Sequence, residues 1–243
     1  MNTRIIFFIM IVLFQLPSGC QLVSKSTDKG RNLFDKGNIN SDKHEITDAS
    51  QKKYRNAGTQ NIPIDFMELT EDTAGILLDI KYATSDNFTG KKIYDCGRCF
   101  MERQAAKKIL AVNRDLKLRY GFGLKIFDCY RPSPYQQRLW DIVPNPDYVA
   151  PPNKGSVHSR GQAIDLTITD QNGKELDMGT PFDFFGEEAH ADYTELKDEV
   201  LKNRRLLTKM MELHGYRGIR TEWWHFSTKD VTEPLHEWTW ACN

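Results

Sequence analysis

The chain lacks an excess of charge of either sign, with 33 Lys plus Arg balanced by 33 Asp plus Glu over 243 residues. A protein that grips a phosphate backbone needs a basic surplus, so nucleic acid is not an expected partner. Internal repeats are also absent, which removes solenoid architectures. The one marked apolar run, Ile5 to Leu16, is too short to span a bilayer comfortably. A single Cys-x-x-Cys occurs, at Cys96 and Cys99, with no second pair to complete a four-sulfur zinc site and no thioredoxin-like surroundings. What remains is a composition of 40% hydrophobic and 27% charged residues, that of a soluble globular chain with room for one well-buried domain.

The first twenty residues combine Arg4, the apolar run and Pro17-Ser18-Gly19-Cys20, the layout of an export signal. Cys20 after Ser18-Gly19 is similar to a bacterial lipobox, which implies membrane anchoring through a lipidated Cys20. Pro17 departs from the leucine usual three positions before that cysteine, and a simple cleaved secretory peptide is the alternative. Either reading places the protein outside the cytoplasm, in the periplasm or anchored in the cell envelope. Residues 21–61 are rich in Lys, Asp, Asn, Ser, Gly and Gln and bury too little apolar surface to offset their ordering entropy. They read as a flexible tether with a reach of roughly 35 Å. In an oxidising compartment Cys96, Cys99, Cys129 and Cys242 allow two disulfides in three connectivities, among which the residues alone do not choose.

The folded domain is expected over 62–243. Leu78, Ile80 and Tyr82 alternate with Asp79 and Lys81, as in a half-buried strand. Ala105, Ile109, Val112 and Leu116 recur at helical spacing between Glu102 and Tyr120, and Gly121 is a natural stop. A short strand over Leu124 to Phe127 leads to Asp128-Cys129-Tyr130-Arg131-Pro132, with a helix from Pro132 through Trp140. Ala163 to Ile168 reads as a buried strand, Leu196 to His214 as a long amphipathic helix ended by Gly215, and Trp223 to Phe226 as β-prone. Helices interleaved with short strands predict an α+β fold: a small, largely antiparallel sheet flanked by helices.

Chemistry concentrates in Ser156-Val157-His158-Ser159-Arg160-Gly161-Gln162-Ala163-Ile164-Asp165. Imidazole nitrogen and carboxylate oxygen are standard zinc ligands, and Gly161 lets the chain turn between them. Alone, a His and an Asp at this spacing are weak evidence, because histidine is more often a surface or hydrogen-bonded core residue. Glu222-Trp223-Trp224-His225 adds a second imidazole and a spare carboxylate. Three protein ligands with an open fourth position describe a catalytic zinc. Glu222 and His225 would point to opposite faces of a regular strand, so the strand must twist, bulge or begin after Glu222 if both serve one site.

Together with these motifs, Tyr82-Ala83-Thr84-Ser85-Asp86-Asn87-Phe88-Thr89-Gly90, Asp128 to Pro132 and Phe182-Asp183-Phe184 resemble, in order, the D-alanyl-D-alanine dipeptidases, the family that includes the vancomycin-resistance enzymes. The resemblance implies one Zn2+ per chain, in a central cleft, held by His158, Asp165 and His225. It implies Glu222 as general base and acid and Arg131 as stabiliser of the tetrahedral intermediate. It sets Tyr82 and Asp183 near the amino group of a small D-amino-acid dipeptide, Ser156 near its other end, and Asp128 beside Arg131. The residues allow plainer roles: a core aromatic for Tyr82, a turn cap for Asp183, a structural ion pair for Asp128. It further implies a Cys99–Cys129 bridge, and then Cys96–Cys242. Asp95-Cys96 stands where relatives commonly carry Gly-Tyr, and the tail after Phe226 departs from the family ending. A zinc D,D-carboxypeptidase or other murein peptidase shares the metal site, and a non-catalytic peptidoglycan-binding module is a further alternative that Glu222 and Arg131 argue against.

Overall fold

The computed structural model describes residues 62–146 and 148–242. The expected export signal, Cys20 and tether lie outside the described residues. Among the described residues no helix is long and apolar enough to cross a membrane.

Five strands form the main sheet in the order β2 (Leu77–Leu78), β4 (Gly123–Asp128), β5 (Ala163–Thr169), β7 (Glu222–Thr228) and β6 (Tyr216–Ile219). Only β2 with β4 is parallel, so the sheet is largely antiparallel as expected. A second, two-stranded antiparallel sheet pairs β1 (Phe66–Leu69) with β3 (Cys99–Glu102).

The long helices are α1 (Arg103–Tyr120), α2 (Ser133–Ile142) and α3 (Asp198–Leu213), and a single helical turn, Glu71–Ala74, precedes β2. Glu102 caps α1, its carboxylate accepting from the amides of Gln104 and Ala105 at 2.9 and 3.0 Å, and Gly121 ends it at φ +70°. α1 and α3 pack against each other and against the main sheet. Ile109, Val112, Leu116, Leu207 and Met211 join Ile164, Leu166 and Ile168 of β5 in one buried cluster. Because strand side chains alternate, Ala163, Asp165 and Thr167 face the other way, toward the functional groups.

Two expectations shift. The strand read over Leu78 to Tyr82 ends at Leu78, and Lys81–Ala83 is a 3-10 turn. Ile80 and Tyr82 are buried as the alternation suggested. The turn exists because Tyr82 offers its carbonyl to the amides of Ile93 and Tyr94, at 2.9 and 2.8 Å, rather than to a neighbouring strand. Pro132 stays extended (ψ 144°) ahead of α2, and Pro134 takes the place in the first turn.

Two irregularities in the ladders aim side chains. Ile126 pairs with Leu166 but Asp128 pairs with Asp165, so β4 has one residue more than β5 there. A regular β4 would keep Asp128 on the core face with Ile126; the bulge turns it to the face of Asp165. Between β6 and β7, Gly218 pairs with Phe226 while Ile219 pairs with Glu222. Trp223 to His225 are accommodated in that shift.

Residues 229–242 run back across the domain as a strap. Ser133 donates to the His236 carbonyl through its amide and its Oγ, at 3.1 and 3.0 Å, and the His236 amide donates to the Ser159 carbonyl at 2.8 Å. Gln162 Oε1 accepts from the amides of Thr232 and Glu233. Trp238 stacks on Tyr130 at 4.6 Å, and Trp240 meets Tyr94 edge-on at 5.7 Å. The Cys96–Cys242 disulfide closes the strap, and Cys99–Cys129 ties β3 to the end of β4. Both pairings are those the resemblance implied.

Candidate metal centre and active site

The bulge in β4 sets Asp128, Asp165 and His225 side by side in one cross-strand row over β4, β5 and β7. His158 enters from the 3-10 turn His158–Arg160 just before β5. That turn closes on Gly161 at φ +71°, where a Cβ would sit 2.5 Å from the Phe66 ring and 3.0 Å from the Glu102 amide nitrogen. Glycine is therefore required between the two motif residues, for conformation and for space.

His158 Nδ1 donates to the Cys129 carbonyl at 2.7 Å, which leaves the Nε2 lone pair facing the row in the neutral ring. Nε2 lies 3.1 Å from His225 Nδ1 and 3.4 Å from Asp165 Oδ2, while His225 Nδ1 lies 2.9 Å from Asp165 Oδ1. Two ring nitrogens and a carboxylate thus crowd one point. A proton on His225 Nδ1 could serve only part of this set; a cation satisfies all of it. In a tetrahedral zinc site with bonds of about 2.0–2.1 Å, ligand atoms are about 3.3 Å apart, within a few tenths of an ångström of these separations. The residues fit a divalent metal. Burial pushes the Asp165 carboxyl up, and the imidazoles of His158 and His225 outweigh it, holding the group well below the usual carboxylate range.

Glu222 Oε2 is 3.9 Å from His225 Nδ1, beyond hydrogen-bonding distance but beside the same point. Burial pushes its carboxyl above the ordinary value, against the pull of His225. The shifted register of β6 and β7 resolves the strand-face problem, and both Glu222 and His225 line the cleft.

Arg131 is fixed on several sides. Nε and Nη2 donate to Asp128 Oδ2 at 3.0 and 2.6 Å, Nη1 donates to Gln136 Oε1 at 3.1 Å, and the guanidinium lies 4.9 Å from the centre of the Tyr82 ring. These bonds leave one N–H on each Nη for a ligand. Burial opposes its charge, and Asp128 above all overcomes it. Asp128, fully buried, also accepts from Tyr94 OH at 2.6 Å.

Tyr82 OH donates to both oxygens of Asp183, at 3.2 and 3.1 Å. Among the described residues Asp183 is the non-glycine residue with positive φ, +58°. Burial first, and the charge of Asp165 second, push its carboxyl well above the ordinary range. Ser156 Oγ accepts from the His158 amide at 3.2 Å. Arg131, Tyr82, Ser156, His158, Asp165, Asp183, Glu222 and His225 all line one cleft of about 310 Å³. Asp128 lies behind Arg131, outside that lining. Sequence reasoning missed Tyr94 and Gln136, which hold the Asp128–Arg131 pair. Gln136 has a signal, one turn into the helix after Arg131; Tyr94 lies in an aperiodic loop and has none.

Two imidazoles and a carboxylate facing one point, with a spare carboxylate and a restrained guanidinium on the rim, make the site of a metal-dependent hydrolase. The chain belongs to the D-ala-D-ala dipeptidase family, whose model matches residues 62–239. It is similar to the D-alanyl-D-alanine dipeptidase of Escherichia coli K12, 43% identical over 61% of this chain and 77% of that protein. The Enterococcus faecium enzyme of the same name is 34% identical over 70% of this chain and 95% of its own length. A solved vancomycin-resistance D,D-pentapeptidase, VanY, in complex with Zn(II), aligns over 55% of this chain and 75% of its own at 15% identity and a TM-score of 0.37.

Proposed function

We propose that this protein is a zinc dipeptidase that hydrolyses D-alanyl-D-alanine to two D-alanines in the cell envelope. The observation that carries the reading is the meeting of His158 Nε2, His225 Nδ1 and the Asp165 carboxylate within 2.9 to 3.4 Å of one another, with Glu222 alongside. The relatives' names supply the substrate. Zinc, when bound, acidifies water and polarises a carbonyl.

Glu222, not itself a ligand, takes the proton of the attacking water and delivers it to the leaving amine. Its raised carboxyl suits it to holding that proton between the two steps. Arg131 turns its remaining N–H groups to the oxygen on which charge develops, and the Asp128 and Gln136 bonds keep it there without reorganisation. Asp183, held by Tyr82, pairs with the substrate ammonium. An acylated nitrogen carries no charge to offset the burial of Asp183, so the ion pair is lost and free dipeptides are favoured. Ser156 receives the opposite end. The expected export signal supports a periplasmic or membrane-anchored setting, in which the product is D-alanine recovered from wall fragments.

The test is metal analysis of the purified protein together with rates on free D-alanyl-D-alanine and on an N-acylated pentapeptide ending in D-alanyl-D-alanine. About one zinc per chain and a large preference for the dipeptide are expected. A preference for the pentapeptide would replace this reading by that of a D,D-carboxypeptidase.

A further inference from the structure

Two aromatic side chains at the cleft have no part in the chemistry above. Tyr148 belongs to the loop after α2, on the wall that also carries Ala150, Gly155 and Ser156; Phe185 comes from the segment after Asp183 on another wall. Their rings meet at 4.5 Å between centroids, both line the cleft, and they remain 50% and 45% exposed. One side of the pair therefore faces solvent and the other faces the site. The contact bridges the mouth.

The pair is tied to the ammonium end of the site. Phe185 packs edge-on against Phe88 at 4.9 Å, Phe88 against Tyr82 at 6.4 Å, and Tyr82 OH bonds Asp183. The left-handed backbone of Asp183 reverses the chain, so the carboxylate enters the cleft and the side chain two residues on reaches the mouth. Charged groups of the cleft lie at the metal centre, Arg131 and Asp183, whereas Tyr148, Ala150, Val157, Phe185 and Ile219 give it a largely apolar margin. Such a margin offers little to the amide groups of a longer peptide. At about 310 Å³ the cleft is also at the small end of ligand sites, which run from ~300 to 1,000 Å³.

We propose that Tyr148 and Phe185 are specificity-determining residues that close the mouth over the substrate's ammonium end and sterically reject any group attached to that nitrogen. The proposal rests on the dipeptidase reading and adds a second barrier to the loss of the ion pair with Asp183. The two barriers are separable, because shortening a ring leaves the carboxylate in place.

The experiment measures kcat/KM for D-alanyl-D-alanine and N-acetyl-D-alanyl-D-alanine in the wild type, Phe185→Leu, Phe185→Ala, Tyr148→Ala and the Phe185→Ala/Tyr148→Ala double variant. Phe184→Ala, on the exposed neighbour of the same segment, is the control, and metal content and circular dichroism verify folding. The acetylated-to-free ratio is expected to rise about tenfold or more in the double variant, less in Phe185→Leu, and not in Phe184→Ala. An unchanged ratio in folded, metal-replete double variant, or an equal rise in Phe184→Ala, overturns the proposal. Failure of the wild type to cleave the free dipeptide would overturn the dipeptidase reading instead.

Discussion

The floor of the cleft and its mouth are built by different means. Asp128, Asp165 and His225 sit on three hydrogen-bonded strands in one row, and none is more than 9% exposed. Asp183, Tyr148, Phe185 and Ser156 come from loops; Asp183 and Ser156 are half-buried, and Tyr148 and Phe185 are exposed. Reactive groups must hold their places to within fractions of an ångström, which a sheet ladder provides. Selection among substrates needs only bulk and one well-placed charge, which loops supply and can exchange without changing strand register. The division predicts that floor substitutions depress turnover of every substrate alike, whereas mouth substitutions alter the ratio between substrates.

The largest test of that division is removal of the metal. Chelation, or His158→Ala, is expected to abolish measurable turnover of free and acetylated dipeptide together, and bound zinc should fall to near zero in the variant; zinc retained at one per chain would show that the row is not the ligand set. Next is Glu222→Gln, for which kcat should fall about 10²- to 10⁴-fold while metal analysis still finds the ion. Unchanged turnover would assign the base elsewhere. Arg131→Lys keeps the charge but cannot hold Asp128 and Gln136 at once, so a loss of about 10²-fold in kcat is expected, larger than any change in KM. A change mainly in KM would move Arg131 from the floor's role to that of the mouth. The smallest effect belongs to Tyr94→Phe, which deletes the 2.6 Å bond to Asp128. It should lower stability by about 1–2 kcal/mol, read by thermal unfolding, and reduce kcat a few-fold with the substrate ratio unmoved.

Much of the floor is legible in the amino-acid sequence. His158, Gly161 and Asp165 stand close in sequence, and α1 and α3 declare themselves by apolar spacing that stops at Gly121 and Gly215. What was hidden was register. That Asp128 faces Asp165 depends on a bulge near Phe127, and that Glu222 and His225 share a cleft depends on a shift opposite Gly218. The spacing of Glu222 and His225 calls for a twist, a bulge or a late strand start if both serve one site, and leaves open which of these it is. Ile80 and Tyr82 alternate as a strand does, yet a tertiary pairing of the Tyr82 carbonyl made a turn of the segment. Tyr148 and Phe185 carry no pattern at all, because a contact between two loops leaves no period in either.

The bridge between Cys96 and Cys242 spans 146 positions, and Arg131, His158, Asp165, Asp183, Glu222 and His225 all fall inside that covalent ring. In a chain-entropy model a closure of this length restricts the unfolded chain by about 5 kcal/mol. It also changes what a single cut does. An endoprotease that severs the loop carrying Tyr148 would leave two fragments still linked through sulfur, migrating as one species until a reductant is added. The loop carrying Tyr148 can therefore be nicked without the hydrolytic apparatus coming apart.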